Sequence, residues 1–292
     1  MGSKLTRIAP TPSGYLHLGN IFSFAVTAEL ARRAGAEILL RIDDLDRERA
    51  QPEYVEDIFE TLRFMDIPWD RGPRDAAEFG RDWSQLGRLS LYREALSLLR
   101  EGGMVFGCSC SRAEVLRMSE DGGYPGTCRE RGVGLDVREV SWRLRTDATN
   151  ELLDNARLPA EMRDFVVRKK DGFPAYQLSS LVDDLHYGVD LIVRGQDLWA
   201  STLAQLYLSY SLGAASFRDA RFYHHPLVMA GGEKLSKSAG STSIQYLRKQ
   251  GLEAAAIYKM IAREVVGDLR PAEAAEVRDW RGLAALILGA DR

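Results

Sequence analysis

A segment near the amino terminus, RIAPTPSGYLHLGN at residues 7–20, decides the fold of this chain. Residues 4–9 alternate in the manner of a β-strand, a Pro/Ser/Gly turn follows, and from Leu18 apolar side chains recur at helical spacing. A helix that begins directly after such a turn offers free N–H groups and the positive end of its dipole to an anion. The segment therefore predicts an anion site at His17 and Gly19, although a plain strand-turn-helix with a surface histidine stays open.

The next hundred or so residues predict an α/β domain. Glu37–Asp43 is typical of a buried strand, and residues 54–65 and 89–99 each place an apolar stripe on one face of a helix. Alternation of strands and helices favours a doubly wound parallel sheet. We therefore expect the first half of this domain at residues 1–102.

Residues 103–173 differ in character and are interpreted as an insertion. They contain a cysteine-bearing loop region and two strand candidates, Val140–Arg145 and Asp164–Lys169. Parallel α/β character returns at residues 174–242, with a strand at Leu191–Arg194, a helix at Leu198–Leu212 and a strand near Phe222. Residues 243–292 form a short helical C-terminal segment.

Composition narrows the classes of protein. The chain has 292 residues, of which 45% are hydrophobic and 28% charged, and no run reaches the roughly 18 apolar residues of a membrane helix. The amino terminus lacks the pattern of a secretory signal, so the cytoplasm is the expected location, with no membrane partner. A net charge of −3 argues against coating of nucleic acid by a general positive field, but a local basic site is compatible with it.

The chain's three cysteines, Cys108, Cys110 and Cys128, fall within 21 residues. An odd number so closely spaced does not form a disulfide framework. The cluster predicts a metal site, with free cysteines beside a loop as the alternative.

A second segment, GGEKLSKSAG at residues 231–240, carries Lys234, Ser236 and Lys237 between the Gly231-Gly232 pair and Gly240. Two lysines and neighbouring hydroxyls on a glycine-bounded loop suit a mobile clamp on a polyphosphate. A solvated basic turn is the alternative for this segment taken alone.

The two segments together resemble the class I aminoacyl-tRNA synthetases. His17-Leu-Gly-Asn20 resembles their HIGH signature, and Lys234-Leu-Ser-Lys-Ser238 resembles their KMSKS signature. The blocks at residues 41–46, 175–178 and 192–195 are similar to those of the glutamyl branch. The resemblance implies a Rossmann-like doubly wound fold with an inserted zinc-containing subdomain, and activation of glutamate by ATP with Mg²⁺.

The resemblance also assigns residues to the sites of such an enzyme. It implies that His17, Lys234 and Lys237 are catalytic. The implied ATP-binding residues are His17, Gly19, Asn20, Lys234, Ser236 and Lys237, and the implied glutamate-binding residues are Arg7, Ala9, Thr11, Asp43, Tyr176 and Arg194. The implied ligands of a structural zinc ion are Cys108, Cys110, Tyr124 and Cys128.

Two of these positions depart from the pattern of the glutamyl branch. Asp43 stands where the family usually has glutamate, and Thr11 where it often has serine. A carboxylate shortened by one methylene is withdrawn by roughly an ångström, which requires a bridging water or a shifted substrate.

The chain is similar to the truncated paralogues of that branch, which attach glutamate to the queuosine base of tRNA(Asp). The resemblance accordingly implies no anticodon-binding half, tRNA as partner, and a monomer. Two alternatives stay open. One is a minimal glutamyl-tRNA synthetase that charges the terminal ribose of tRNA(Glu), and the other is a catalytically silent RNA-binding paralogue.

Overall fold

A computed structural model describes residues 3–146, 158–230, 233–234, 243–266 and 270–289. The helices are α1 (Leu18–Ala34), α2 (Pro52–Phe64), α3 (Ala76–Glu78), α4 (Leu89–Glu101), α5 (Arg112–Met118), α6 (Tyr176–Tyr187), α7 (Trp199–Ser211), α8 (Ala215–Arg218), α9 (Ile244–Lys249), α10 (Ala254–Val266), α11 (Pro271–Glu276) and α12 (Trp280–Leu288). The strands are β1 (Leu5–Ile8), β2 (Glu37–Leu40), β3 (Val105–Cys108), β4 (Ser141–Leu144), β5 (Val166–Arg168), β6 (Leu191–Gly195), β7 (Arg221–His225), β8 (Met229–Ala230) and β9 (Glu233–Lys234).

Two compact units share the chain. The first unit comprises Met1–Gly87, Val189–Gln196 and Arg221–Arg292, and the second comprises Arg88–Gly188 and Asp197–Ala220. The units are defined by which parts of the chain pack against one another. The limits of an inserted domain at residues 103 and 173 stay a prediction. Each helix that the structure describes is too short or too polar to cross a membrane.

The sheet of the first unit has the strand order β2-β1-β6-β7, and every neighbouring pair is parallel. The parallel α/β class expected from the sequence is thereby confirmed. Because the strands are parallel, the loops that follow them all leave from one edge of the sheet. In such sheets ligands bind outside the carboxyl ends of the strands, so this edge is where a site is expected.

Helix α1 is the centre of the first unit's core. Phe22, Ala25 and Val26 are at most 1% exposed, and further buried residues lie on other sides of the helix, so neighbouring elements must cover most of it. Ile8 and Val193, which belong to the same core cluster, cover it from one sheet face, and α12 packs on α1 as well. The C-terminal helices therefore share the core of the sheet domain.

The second unit holds an antiparallel sheet of order β3-β4-β5 beside packed helices α6 and α7. The expectation of a loop around the first cysteine was wrong, because Val105–Cys108 is a strand paired with Ser141–Leu144. All four residues of that strand are buried, so they show no alternation of apolar and polar side chains that would have revealed it.

A buried ion pair fastens α4 to α6 within the second unit. The Arg88 guanidinium donates to both carboxylate oxygens of Asp183, at 2.8 and 3.1 Å, and the Tyr92 hydroxyl donates to the same carboxylate at 2.7 Å. With three donors, the buried carboxylate is stabilised in its charged form.

Candidate functional site

His17 starts helix α1 and forms a reciprocal cap with Asn20. Its Nδ1 accepts a hydrogen bond from the Gly19 N–H at 3.1 Å, and the Asn20 side-chain oxygen accepts from the His17 N–H at 2.9 Å. Because Nδ1 accepts a hydrogen bond, the neutral ring carries its proton on Nε2. The cap thus fixes both the position and the tautomer of a potential donor to an anion.

Gly19 leaves room for that ring. A Cβ at this position would lie 3.1 Å from the Cε1 and Nδ1 atoms of His17, closer than a methyl group is comfortably accommodated. The N–H groups of Gly19 and Asn20 are already bonded to His17, so the helix start offers fewer open N–H groups than expected. Its attraction for an anion rests on the helix dipole and the histidine.

The chain returns to the start of α1 at Ser243. His17 and Ser243 form an isolated antiparallel bridge, and the Ile244 N–H donates to the Leu16 carbonyl at 2.8 Å. Ser243 follows Lys237 by six residues in the sequence. Lys234 lies in strand β9, paired with Met229, whereas Ser236 and Lys237 lie outside the described residues.

Two buried arginines share one face of the parallel sheet. Thr6 pairs with Leu191, which brings Arg7 level with Ile192 and onto the same face as Arg194. Arg7 and Arg194 are 5% and 3% exposed, and Arg7 donates to the Val193 carbonyl at 3.2 Å. Two buried guanidiniums on one face suit a ligand with two carboxylates.

Asp43 lies at the carboxyl end of β2, held by a forked ion pair. Arg41 donates to its two oxygens at 2.8 and 3.0 Å, and a carboxylate is the kind of group that accepts from an ammonium. The Asp43 N–H donates to the Pro10 carbonyl at 2.9 Å. This bond joins Asp43 to the loop that carries Ala9 and Thr11.

His224 is a neighbour of this group that the sequence did not single out. It pairs with Arg194 across β6 and β7, so both side chains lie on the same sheet face. Burial, the positive charge of Arg194 and nearby His225 lower the pKa of His224, which keeps its imidazole neutral near pH 7. The sequence shows a histidine in a strand candidate, but it does not show that this strand pairs with the one that carries Arg194.

Tyr176 belongs to the second unit, whereas the residues above belong to the first. It is the first residue of α6 and 43% exposed. Its assignment to the glutamate site stays a prediction.

The three cysteines form a compact cluster with Tyr124 in the second unit. The sulfur atoms lie within 4.8 Å of one another, with 3.5 Å between those of Cys110 and Cys128, and Cys108 donates to the Tyr124 hydroxyl at 3.4 Å. Thiolates around a tetrahedral zinc ion at 2.3 Å stand about 3.8 Å apart. Shifts of about 1 Å in the sulfur positions would therefore bring the three thiols to the spacing of a zinc coordination shell. The set of donor atoms fits a metal ion.

Ionisation in the cluster is uneven. Burial opposes the charged form of Cys128, but hydrogen bonds from the Ser109 N–H and Tyr124 outweigh it and lower its pKa to about 7. Burial, and then the hydrogen bond with Cys128, raise the pKa of Cys110 to about 12. A metal ion would have to displace the protons of the thiols that are still protonated, as metals do when they bind thiols.

A family model described as "tRNA synthetases class I (E and Q), catalytic domain" matches residues 4–135 and 143–278. The chain is 39% identical over 265 residues to the glutamyl-Q tRNA(Asp) synthetase of Parasynechococcus marenigrum, covering 89% of this chain and 83% of that protein. It is 35% identical to a glutamate–tRNA ligase of Dehalococcoides mccartyi, covering 82% of this chain and 52% of the ligase. The resemblance drawn from the two signature segments is confirmed.

The fold has a counterpart among solved structures. The glutamate-tRNA synthetase of Elizabethkingia anophelis superposes with a TM-score of 0.71 at 20% identity, over 97% of this chain. The chain spans 65% of the length of that solved protein. The likeness confirms the class I synthetase fold.

Proposed function

The chain belongs to the class I tRNA synthetases of the glutamate and glutamine branch, and from this membership we propose that it activates glutamate with ATP and transfers it to the queuosine base of tRNA(Asp). The observation that supports this most is the bridge between His17 and Ser243. It joins Ser243, three residues beyond the segment at 231–240, to the helix start that suits a phosphate.

Activation begins with attack of a glutamate carboxylate oxygen on the α-phosphorus of ATP. The bond from that phosphorus to the bridging oxygen breaks, and pyrophosphate leaves with the electron pair. His17, through its Nε2 proton and the dipole of α1, stabilises charge on the phosphates, and Lys234 and Lys237 neutralise the pyrophosphate. ATP enters with Mg²⁺, which shields part of its charge.

Arg7 and Arg194 each bind one carboxylate of glutamate in this proposal, and Asp43 accepts from its ammonium group. Ala9 and Thr11 belong to the loop that follows β1, and Tyr176 is assigned as a further donor by the family resemblance. A hydroxyl of the RNA then attacks the carbonyl of the glutamyl-adenylate, and AMP leaves with the electron pair.

Cys108, Cys110, Cys128 and Tyr124 hold a structural zinc ion. The geometry of three sulfur atoms and one hydroxyl supports this, and a closed set of four protein ligands is typical of structural sites. Because these ligands lie at and just beyond the end of β3 and in the loop at residues 124–128, they would hold the ion as a cross-link between the two segments.

The choice of queuosine as acceptor is supported by the similarity to relatives named for that reaction. The chain is 39% identical to a glutamyl-Q tRNA(Asp) synthetase and 35% identical to a glutamate–tRNA ligase. The test incubates the protein with ATP and radiolabelled glutamate, offering queuosine-containing tRNA(Asp), queuosine-free tRNA(Asp) and tRNA(Glu). Nuclease digestion and chromatography then identify the labelled nucleoside. Label on queuosine alone is expected, whereas label on the terminal adenosine of tRNA(Glu) would establish a glutamyl-tRNA synthetase instead.

A further inference from the structure

The second unit contains a cavity of about 530 Å³ that none of the site residues above line. One wall is a face of α4, and the other is formed by β4, β5 and the turn at residues 171–174. Six apolar or aromatic residues line it: Leu89, Tyr92, Leu96, Trp142, Phe173 and Pro174. Its volume lies within the range of about 300–1,000 Å³ that small-molecule sites occupy.

The charged residues of the cavity leave an excess of positive charge. Two carboxylates line it, but Arg100 donates to both oxygens of Asp136, at 2.7 and 2.5 Å, and Lys169 binds Asp171 at 2.9 Å. Each acid is therefore neutralised by a cation of its own. Arg93 and Arg168 contribute two further positive charges to the cavity.

Arg93 and Arg168 form no ion pair with an acid in the part of the chain that the structure describes, although the charge of Arg168 acts on the nearby Asp136 carboxylate. Arg93 is exposed on α4, without a hydrogen bond or ion pair to any described residue. The Arg168 guanidinium stands 5.1 Å from the centroid of the Trp142 ring and donates to the Val140 carbonyl at 3.3 Å. Both guanidiniums reach the same cavity, so an anion entering it would meet two cations.

We propose that this cavity binds one unpaired nucleotide, with its phosphate between Arg93 and Arg168 and its base against the apolar wall. Arginine binds phosphate in forked geometry, and an unstacked base can lie on apolar and aromatic side chains. A duplex does not supply such a base, because its bases are paired and stacked. The nucleotide belongs to the RNA substrate, and to that extent the inference rests on the proposed function.

The test measures binding of a fluorescein-labelled single-stranded 12-nucleotide RNA of mixed sequence by fluorescence anisotropy at several salt concentrations. Arg93→Ala should weaken binding about tenfold and reduce the slope of log K against log salt by about 0.7, the value for one phosphate contact in a single strand. Arg93→Lys, which keeps the charge, should recover part of the loss. Arg117→Ala removes an exposed arginine of the same unit outside the cavity and should leave the affinity within twofold.

Equal losses in Arg93→Ala and Arg117→Ala would overturn the assignment, as would an unchanged salt slope in Arg93→Ala. AMP serves as a second probe, because a free nucleotide has the same chemistry. If AMP binds in an Arg93-dependent manner and the RNA does not, the RNA assignment is wrong. Glutamate-dependent exchange of pyrophosphate into ATP, measured without RNA, separates the two proposals. If pyrophosphate exchange fails but Arg93→Ala still weakens RNA binding, glutamate activation is refuted and the nucleotide site is not.

Discussion

Among single residues, Tyr124 has the least usual role proposed for it. Its hydroxyl accepts from the Cys128 N–H at 2.8 Å and from the Cys108 thiol, and the Arg143 guanidinium lies 3.8 Å from the centroid of its ring. Burial raises the pKa of Tyr124 above its ordinary value, so the phenol keeps its proton until a metal displaces it. Metal binding at this residue must therefore release a proton.

Tyr124→Phe removes the fourth proposed ligand and keeps the ring beneath Arg143. We expect zinc affinity to fall about tenfold to a hundredfold, measured by competition with a chromophoric chelator. Tyr210→Phe, at a partly exposed tyrosine of the same unit, should bind zinc as the wild type does. Wild-type affinity in Tyr124→Phe would show that the metal is held by the three thiols without the phenol.

The sequence predicted which residue types the site needs, but not every contact between them. Arg7 and Arg194 were singled out, and the structure places both on one sheet face. The forked bond of Arg41 to Asp43 and the pairing of His224 with Arg194 were missed. Both depend on backbone course and strand register, which local sequence does not specify.

At the scale of elements, α1 is organised by its two ends. His17 caps its start, and near its end Glu29 binds Arg32 and Arg33, each at 2.8 Å. Gly35 then closes the helix in the left-handed conformation, at φ 66°. The hydrogen bond from Arg32 lowers the pKa of Glu29 most. Burial opposes this effect, but with the further contribution of Arg33 the pKa falls from 4.5 to about 2.

A carboxylate whose pKa is lowered by folding stabilises the native state above its unfolded pKa. The contribution of Glu29 should be complete above about pH 4.5 and should disappear as the pH falls towards 2. A shift of this size corresponds to about 3 kcal/mol, which solvent screening at the half-exposed Arg32 reduces to about 1–2 kcal/mol. Glu29→Gln should therefore be less stable by that amount at pH 6 and approach the wild type near pH 3.

Urea unfolding at pH 6, 4 and 3 measures this difference in the free energy of unfolding. Glu94→Gln, at an exposed glutamate of α4, is the matched control and should follow the wild type at every pH. Parallel profiles for the wild type and Glu29→Gln would contradict the assigned ion pairs.

Helical periodicity predicted α1, α2 and α4, and the Pro/Ser/Gly turn correctly separated β1 from α1. Strand β3 was missed because its four residues are all buried, and a short uniform run has no period to detect. The packing of α12 on α1 was also beyond prediction, since it joins segments about 250 residues apart.

For the whole molecule, the central feature is that the chain just beyond the second segment, at Ser243, meets the first segment at His17. His17 and Ser243 are joined although more than 200 residues separate them. Each segment carried a recognisable pattern, so their chemistry could be predicted from the sequence. The contact of His17 with Ser243 is a product of the tertiary fold. Strand β1, which precedes His17, and strands β6 and β7, which precede Ser243, belong to one sheet.

The most direct test of the account is exchange of labelled pyrophosphate into ATP in the absence of RNA, over glutamate, glutamine and aspartate. The account predicts exchange with glutamate, because two buried guanidiniums on one sheet face suit a ligand with two carboxylates, and little exchange with glutamine, which has one. Membership of the glutamate branch predicts little exchange with aspartate as well. No exchange with glutamate, or equal exchange with glutamine, would contradict it.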